Sequence, residues 1–347
     1  MVKLKPKLTF AVPVRFQIVR LILPALMIML VAQIAQVSLG QVQCDPTKVM
    51  SAEACAKCHS GAVQVWQSTP HFKTFTELSR NPEAKAICKK MGLRSVKRSN
   101  VCIDCHFTQR ESNGRAKPVS GVSCESCHGA SAEWINVHND YGGPTANRES
   151  ESEQHAAERL ASSTAAGMRN TRNLYLIASS CLNCHTVPNE KLVNVGGHRA
   201  GSKDFELVAW SQGSVRHNFL RTDGSSNAHS SPERLRVMYI VGLIADLEYS
   251  TRATAVATQN ATYGIEVANR AARSAMKLYT VQQKIENPEV QKVLEVFAQA
   301  DLRTNNAEQL FAIAHEIQNS GSRFATENDG SKLAAIDPFL PDPSTYK

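Results

Sequence analysis

The chain has 347 residues, enough for one large domain or two ordinary ones, and its Lys and Arg outnumber its Asp and Glu by eight. Five of those charges, Lys3, Lys5, Lys7, Arg15 and Arg20, fall in the first 40 residues, which hold no acid, so the remaining excess of three gives no reason to expect nucleic acid as a partner. Aromatic residues make up only 6% while cysteines number ten, which excludes an ordinary aromatic-rich core and suggests that something other than side chains fills part of the interior.

In chain order, the first 40 residues have the layout of a secretory signal: basic residues, an apolar run over 21–31, then Ser38 and Gly40, with cleavage expected near Gly40. The alternative is an uncleaved N-terminus that associates with a membrane, although Gln33 and Gln36 interrupt the apolar stretch. Gln43 stands where lipid attachment at Cys44 would want a small residue. From Cys44 to about Asn194 the sequence is loop-rich and holds every cysteine; residues 196–230 read as linker-like. Helix signals then follow. Ser231, Pro232 and Glu233 give a cap, a first-turn proline and an early acid ahead of Leu235, Met238, Leu243 and Leu247. Asn287, Pro288 and Glu289 repeat the signal, and the apolar stripe runs through Leu310 and Ile317 until Gly321, read as a C-cap. The expected division is a signal at 1–40, a cysteine-bearing domain at 44–230, a helical hairpin or bundle at 231–322 and an extended tail at 323–347.

One pattern occurs four times: CAKCH (Cys55, Cys58, His59), CIDCH (Cys102, Cys105, His106), CESCH (Cys124, Cys127, His128) and CLNCH (Cys181, Cys184, His185). It is the signature of covalent haem attachment. Two thiols three positions apart lie on one side of a helical turn and can each form a thioether with a haem vinyl group, while the adjacent His reaches the iron. Four copies imply four covalently bound haem c groups. Cys pairs also build zinc ribbons, but a ribbon has no need of a His after every pair, and redox dithiols come singly in a βαβ setting. Thioether chemistry agrees with export to the periplasm or beyond, where exposed thiols would otherwise oxidise. Cys44 and Cys88 are left over, as a disulfide or as two unpaired thiols.

What fills the sixth position of each iron separates an electron carrier from a site that binds a small molecule. His71, twelve residues past His59, and His138, ten past His128, are favoured as ligands by their closeness to a motif. His198 and His217 follow the fourth motif and could serve its haem or reach across to another. His155, His229 and His315 stand in polar or charged surroundings and read as solvated; Met91 and Met168 are the thioether alternatives.

The stretches CAKCHSGAVQVWQSTPH, CIDCH, GVSCESCHGASAEWINVH and CLNCH, in that order, resemble the tetrahaem cytochrome c-554 family, which partners hydroxylamine oxidoreductase in ammonia-oxidising bacteria. The resemblance covers roughly residues 50 to 190. It implies a mostly α-helical fold with little β-structure, four haems in close pairs forming much of the core, His138 on the first haem, His71 on the third and an open position on the second. Residues 196–219 and the long-helix C-terminal region are not mapped by it. The expected function is electron transfer between redox partner proteins through mostly bis-His haems. The alternatives are a haem enzyme acting on a small nitrogen or sulfur compound at a five-coordinate iron, and a docking subunit in which the helical region binds a larger redox complex.

Overall fold

A computed structural model describes residues 44–222 and 224–347. The expected signal at 1–40, and the uncleaved anchor that is its alternative, lie outside the described residues. Among the described residues no helix is long and apolar enough to cross a membrane.

Short helices make up the first part: α1 (Ala52–Ala56), α2 (Ser60–Ser68), α3 (Pro70–Glu77), α4 (Pro82–Met91) and α5 (Asn100–His106). Next comes an antiparallel hairpin of β1 (Thr108–Ser112) and β2 (Arg115–Ser120), then α6 (Cys124–His128), α7 (Glu153–Ala165), α8 (Leu174–His185), α9 (Glu190–Asn194) and α10 (Leu207–Ser211). The hairpin turns at Asn113 and Gly114, both at positive φ, the pair that a tight turn matched to strand twist demands. The described chain is thus mostly α, with this one two-stranded sheet.

Four longer helices follow: α11 (Pro232–Ala255), α12 (Thr262–Ile285), α13 (Pro288–Phe297) and α14 (Ala307–Glu327). The Ser231 hydroxyl accepts from Arg234 N, and Asn287 Oδ1 accepts from Glu289 N and Val290 N, so both start signals cap real helices. Flanked by α8, α10, α12 and α14, helix α11 buries Val237, Met238, Val241, Leu243, Ala245 and Leu247, which together point to most of its circumference. A helix covered on most sides has little polar face to keep.

Gly321 is not a C-cap. Helix α14 continues past it to Glu327, and a Cβ at this position would collide with the Tyr175 ring and with Ile244, so the glycine is there to let α14 approach α8 and α11. Gly321→Ala is expected to lower unfolding free energy by about 1–3 kcal/mol through overpacking, read by denaturant titration of the helical signal. The chain after Arg323 is not extended either. A 3₁₀ segment, Ser331–Phe339, buries Leu333 and Ile336, and Lys347 O accepts from Ser214 N at 2.7 Å. Leu333, Ile336 and Phe339 recur every three residues, the 3₁₀ period, which a search for α-helical spacing passes over. Residues 196–230 are likewise packed rather than linker-like: Leu207, Val208 and Ala209 of α10 are buried.

Apolar packing is unevenly shared. The main cluster draws on Leu174, Tyr175, Leu182 and the four long helices, whereas before residue 172 the clustered core is Cys88, Val96, Cys102, Ile103 and Phe107. So small a side-chain core cannot by itself hold over a hundred residues together.

Candidate functional site

The four motifs sit at helix ends. CIDCH closes α5, CESCH is the whole of α6 and CLNCH closes α8; CAKCH runs out of α1 through a turn, and His59 precedes α2. Helical spacing puts the two thiols of each motif on one side, and the imidazole follows at the end, where the backbone is free to turn. Helix α6 is held at both ends. The Ser123 and Ser126 side chains close a capping box, and Arg169 donates to the carbonyls of Glu125 (3.3 Å), Ser126 (2.9 Å) and Cys127 (3.0 Å).

Each motif His faces one His from outside the motifs. The ring centres of His59 and His138 are 6.2 Å apart, those of His106 and His198 6.4 Å, those of His128 and His217 6.0 Å and those of His185 and His71 6.2 Å. A metal-bound imidazole nitrogen lies about 2 Å from its metal and its ring centre roughly 1 Å beyond, so two imidazoles facing across one metal have centres roughly 6 Å apart. Five of the eight rings are anchored through Nδ1, which leaves Nε2 for the space between the pair. The partners are Arg169 O for His128 (3.2 Å), Ile135 O for His138 (2.7 Å), Ser202 Oγ for His185 (2.9 Å), Arg199 O for His198 (2.8 Å) and Val215 O for His217 (2.7 Å). Burial first, and then the neighbouring imidazoles, hold His106, His128 and His185 at about 4, so all three are neutral imidazoles at physiological pH.

Sequence proximity located these histidines but did not assign them. The resemblance placed His71 with the third motif; it faces His185 of the fourth, because α3 is tied to the second motif by Thr74 Oγ donating to His106 O (3.0 Å) and to the hairpin exit by Val122 N donating to His71 O (3.1 Å). The third motif's His128 is faced by His217 instead. The second motif, where the resemblance implied an open position, is faced by His198, carried across from the loop after α9. Neither His198 nor His217 meets the fourth motif, their nearest in sequence. Met91 packs against Gly196, and the Met168 sulfur accepts from Asn170. His155 bonds Glu151, His229 bonds Arg216 and His315 is exposed.

The sites fall into two neighbouring pairs. His59 is within electrostatic reach of His217, and His128 of His59, joining the first and third sites; His106 and His185 both feel His71, joining the second and fourth. Ser180 Oγ, one residue before the fourth motif, donates to Cys127 O at 3.1 Å and links the two pairs. Phe205 and Trp210 pack on the His185 ring at 5.1 and 5.0 Å.

Sequence reading missed three supports. Glu125, the second residue of CESCH, is 1% exposed and accepts from Met50 N (2.9 Å), Ser51 N (2.8 Å), Ser131 N (2.8 Å) and Ser131 Oγ (2.6 Å), tying the first motif to the third. Arg169 caps α6, and Arg270 of α12 pairs with Asp246 at 2.6 Å while donating to His185 O at 2.8 Å. A Glu inside a CxxCH motif announces nothing by pattern, and the nearest of the carbonyls that the two arginine side chains hold lie 42 and 85 residues away. The left-over thiols do not pair: Cys44 donates to Glu125 O (2.7 Å) and Cys88 packs beside Cys102.

Residues 54–129, which contain the first three motifs, match the family model described as cytochrome c554 and c-prime. This segment is similar to that family. Cytochrome c-554 of Nitrosomonas europaea is 31% identical over 96 residues, which cover 25% of this chain and 41% of that relative's length. No solved structure matches the chain. The fourth motif, His198, His217 and the long helices lie beyond the cytochrome c554 segment.

Similarity to a cytochrome c family implies covalently held haem, and the residues present fit it. Paired thiols, paired imidazoles and a sparse side-chain core make three independent agreements. Buried donors without partners make a fourth: Trp134 Nε1 beside His138, Arg216 Nε beside His217 and Arg270 Nη2 beside His185 lie where haem carboxylates could accept. Among the described residues no group of three or more His, Cys, Asp or Glu converges as a zinc ribbon requires.

Proposed function

We propose that the chain is an exported tetrahaem c-type cytochrome that carries electrons between redox partner proteins. Thioethers at Cys55 and Cys58, Cys102 and Cys105, Cys124 and Cys127, and Cys181 and Cys184 hold four haems, ligated by His59 with His138, His106 with His198, His128 with His217 and His185 with His71. The observation that carries this reading is the pairing of every motif imidazole with one other at 6.0–6.4 Å.

When bound, haem supplies one-electron storage and transfer at a potential set by its axial ligands. The chain's own part is to hold and orient. Backbone and hydroxyl acceptors fix the imidazoles, and the site order one, three, four, two gives a continuous row. With both imidazoles of each pair bound, a haem iron would have no position left for a nitrogen or sulfur substrate, so a carrier is better supported than an enzyme. Export rests on the N-terminal pattern and on the need of eight thiols for thioether chemistry.

Exposing the dithionite-reduced protein to carbon monoxide tests the choice. The reading expects no rapid change in the haem absorption; a prompt response from one haem in four would restore an open site and the enzyme alternative.

A further inference from the structure

Between residues 73 and 98 the chain places eight basic side chains, Lys73, Arg80, Lys85, Lys89, Lys90, Arg94, Lys97 and Arg98, against two acids, Glu77 and Glu83. Six of the eight are exposed on α4 and its flanks: Arg80, Lys85, Lys89, Lys90, Arg94 and Arg98. None of the eight forms an ion pair among the described residues, although Lys48, Arg159, Lys203, Arg236, Arg303 and Arg323 elsewhere do. Lys97 instead lies over the Phe75 ring at 3.6 Å, where burial first, and then Arg80 beside it, hold its ammonium below the usual range. Two lysines in the last turn of α4 complement that helix's dipole, but this accounts for Lys89 and Lys90 alone.

The same surface roofs the second haem site. Cys88 of α4 and Val96 pack with Cys102 and Ile103 of that motif and with Phe107 just after it, Met91 lies beside Gly196, and Lys90 Nζ lies beside Gly197, next to His198. A positive field without internal counter-charge, set over one end of the row of sites, steers an anionic surface to that end and raises its encounter rate.

We propose that this face is the docking surface for an acidic redox protein, which exchanges electrons with the chain through the second haem. The inference rests on the tetrahaem reading and adds to it the chemistry and the place of one partner.

Stopped-flow oxidation of the reduced holoprotein tests it, with hexacyanoferrate(III) as an anionic probe and tris(phenanthroline)cobalt(III) as a cationic one. For the wild type, the hexacyanoferrate rate is expected to fall about tenfold between roughly 10 mM and 0.3 M ionic strength, while the cobalt rate does not fall. The triple variant Lys85→Glu, Lys89→Glu, Lys90→Glu is expected to lose most of that salt dependence and to react faster with the cation; Arg94→Glu with Arg98→Glu tests the same face should the first variant fold poorly. A wild-type haem count below four overturns the tetrahaem reading and this inference with it. A full count with unchanged salt dependence in the variants overturns the inference alone. So does a shifted haem potential with unchanged salt dependence, which would make these residues counter-charges for haem carboxylates. Loss of sedimentation with phosphatidylglycerol vesicles, with probe kinetics unaltered, would assign the face to a membrane and overturn it too.

Discussion

His198→Ala is expected to turn one haem in four high-spin and reactive toward carbon monoxide while the other three stay low-spin. His198 is the ring facing His106, at 6.4 Å, and its Nδ1 is held by Arg199 O at 2.8 Å, so alanine removes the facing imidazole together with that one hydrogen bond. Electron paramagnetic resonance of the oxidised protein and difference absorption under carbon monoxide read the change. His217→Ala should do the same at the third site, whose half-buried His128 is faced by that one ring. His155→Ala and His315→Ala, at rings that face no motif, should leave all four haems low-spin. A His198→Ala protein that kept four low-spin haems would show the pairing to be wrong.

Glu125→Ala is expected to cost about 3–5 kcal/mol and to lower the yield of haem-loaded protein. Its carboxylate takes four hydrogen bonds, three from backbone N–H groups, in a place 1% exposed; without it those donors are stranded where water does not reach. One of them belongs to Ser51, held at φ 87, a conformation that a non-glycine residue keeps only when its surroundings enforce it. Glu125→Gln preserves the shape and one acceptor oxygen but turns an N–H₂ toward donors, so a loss of about half that size is expected. Urea denaturation followed by circular dichroism, with haem content measured alongside, checks both. If Glu125→Ala proved as stable as the wild type, the carboxylate would not be what joins the first motif to the third.

The chemistry of this chain is written locally, its assignment is not. Each CxxCH carries thiols and imidazole in five consecutive residues, so four attachment sites are legible without any fold. A sixth ligand has no such address. His71 and His138 drew notice by standing near a motif, yet His71 faces the fourth motif's His185 rather than a neighbour, and His198 and His217 cross to face the second and third because the 196–230 segment folds back over the motifs. The same limit applies to helices. Ser231 and Asn287 announced α11 and α13 through caps, whereas α12 begins after Ala261, which bonds no backbone donor, and left no mark at its start. Asn113 and Gly114 carried a hairpin signal that the loop-rich reading passed over. Gly321 misled because a helix end and a close helix approach both select glycine, and only the Tyr175 ring beside it tells them apart. Glu125, Arg169 and Arg270 were unreadable for a plainer reason, since each acts on backbone groups, which have no sequence pattern.

Haem counting by pyridine haemochrome, joined to electron paramagnetic resonance of the fully oxidised protein, tests the central claim most directly. The account predicts four haems per chain, every one low-spin with two imidazoles. Fewer than four, a persistent high-spin signal, or a colourless polypeptide would contradict it.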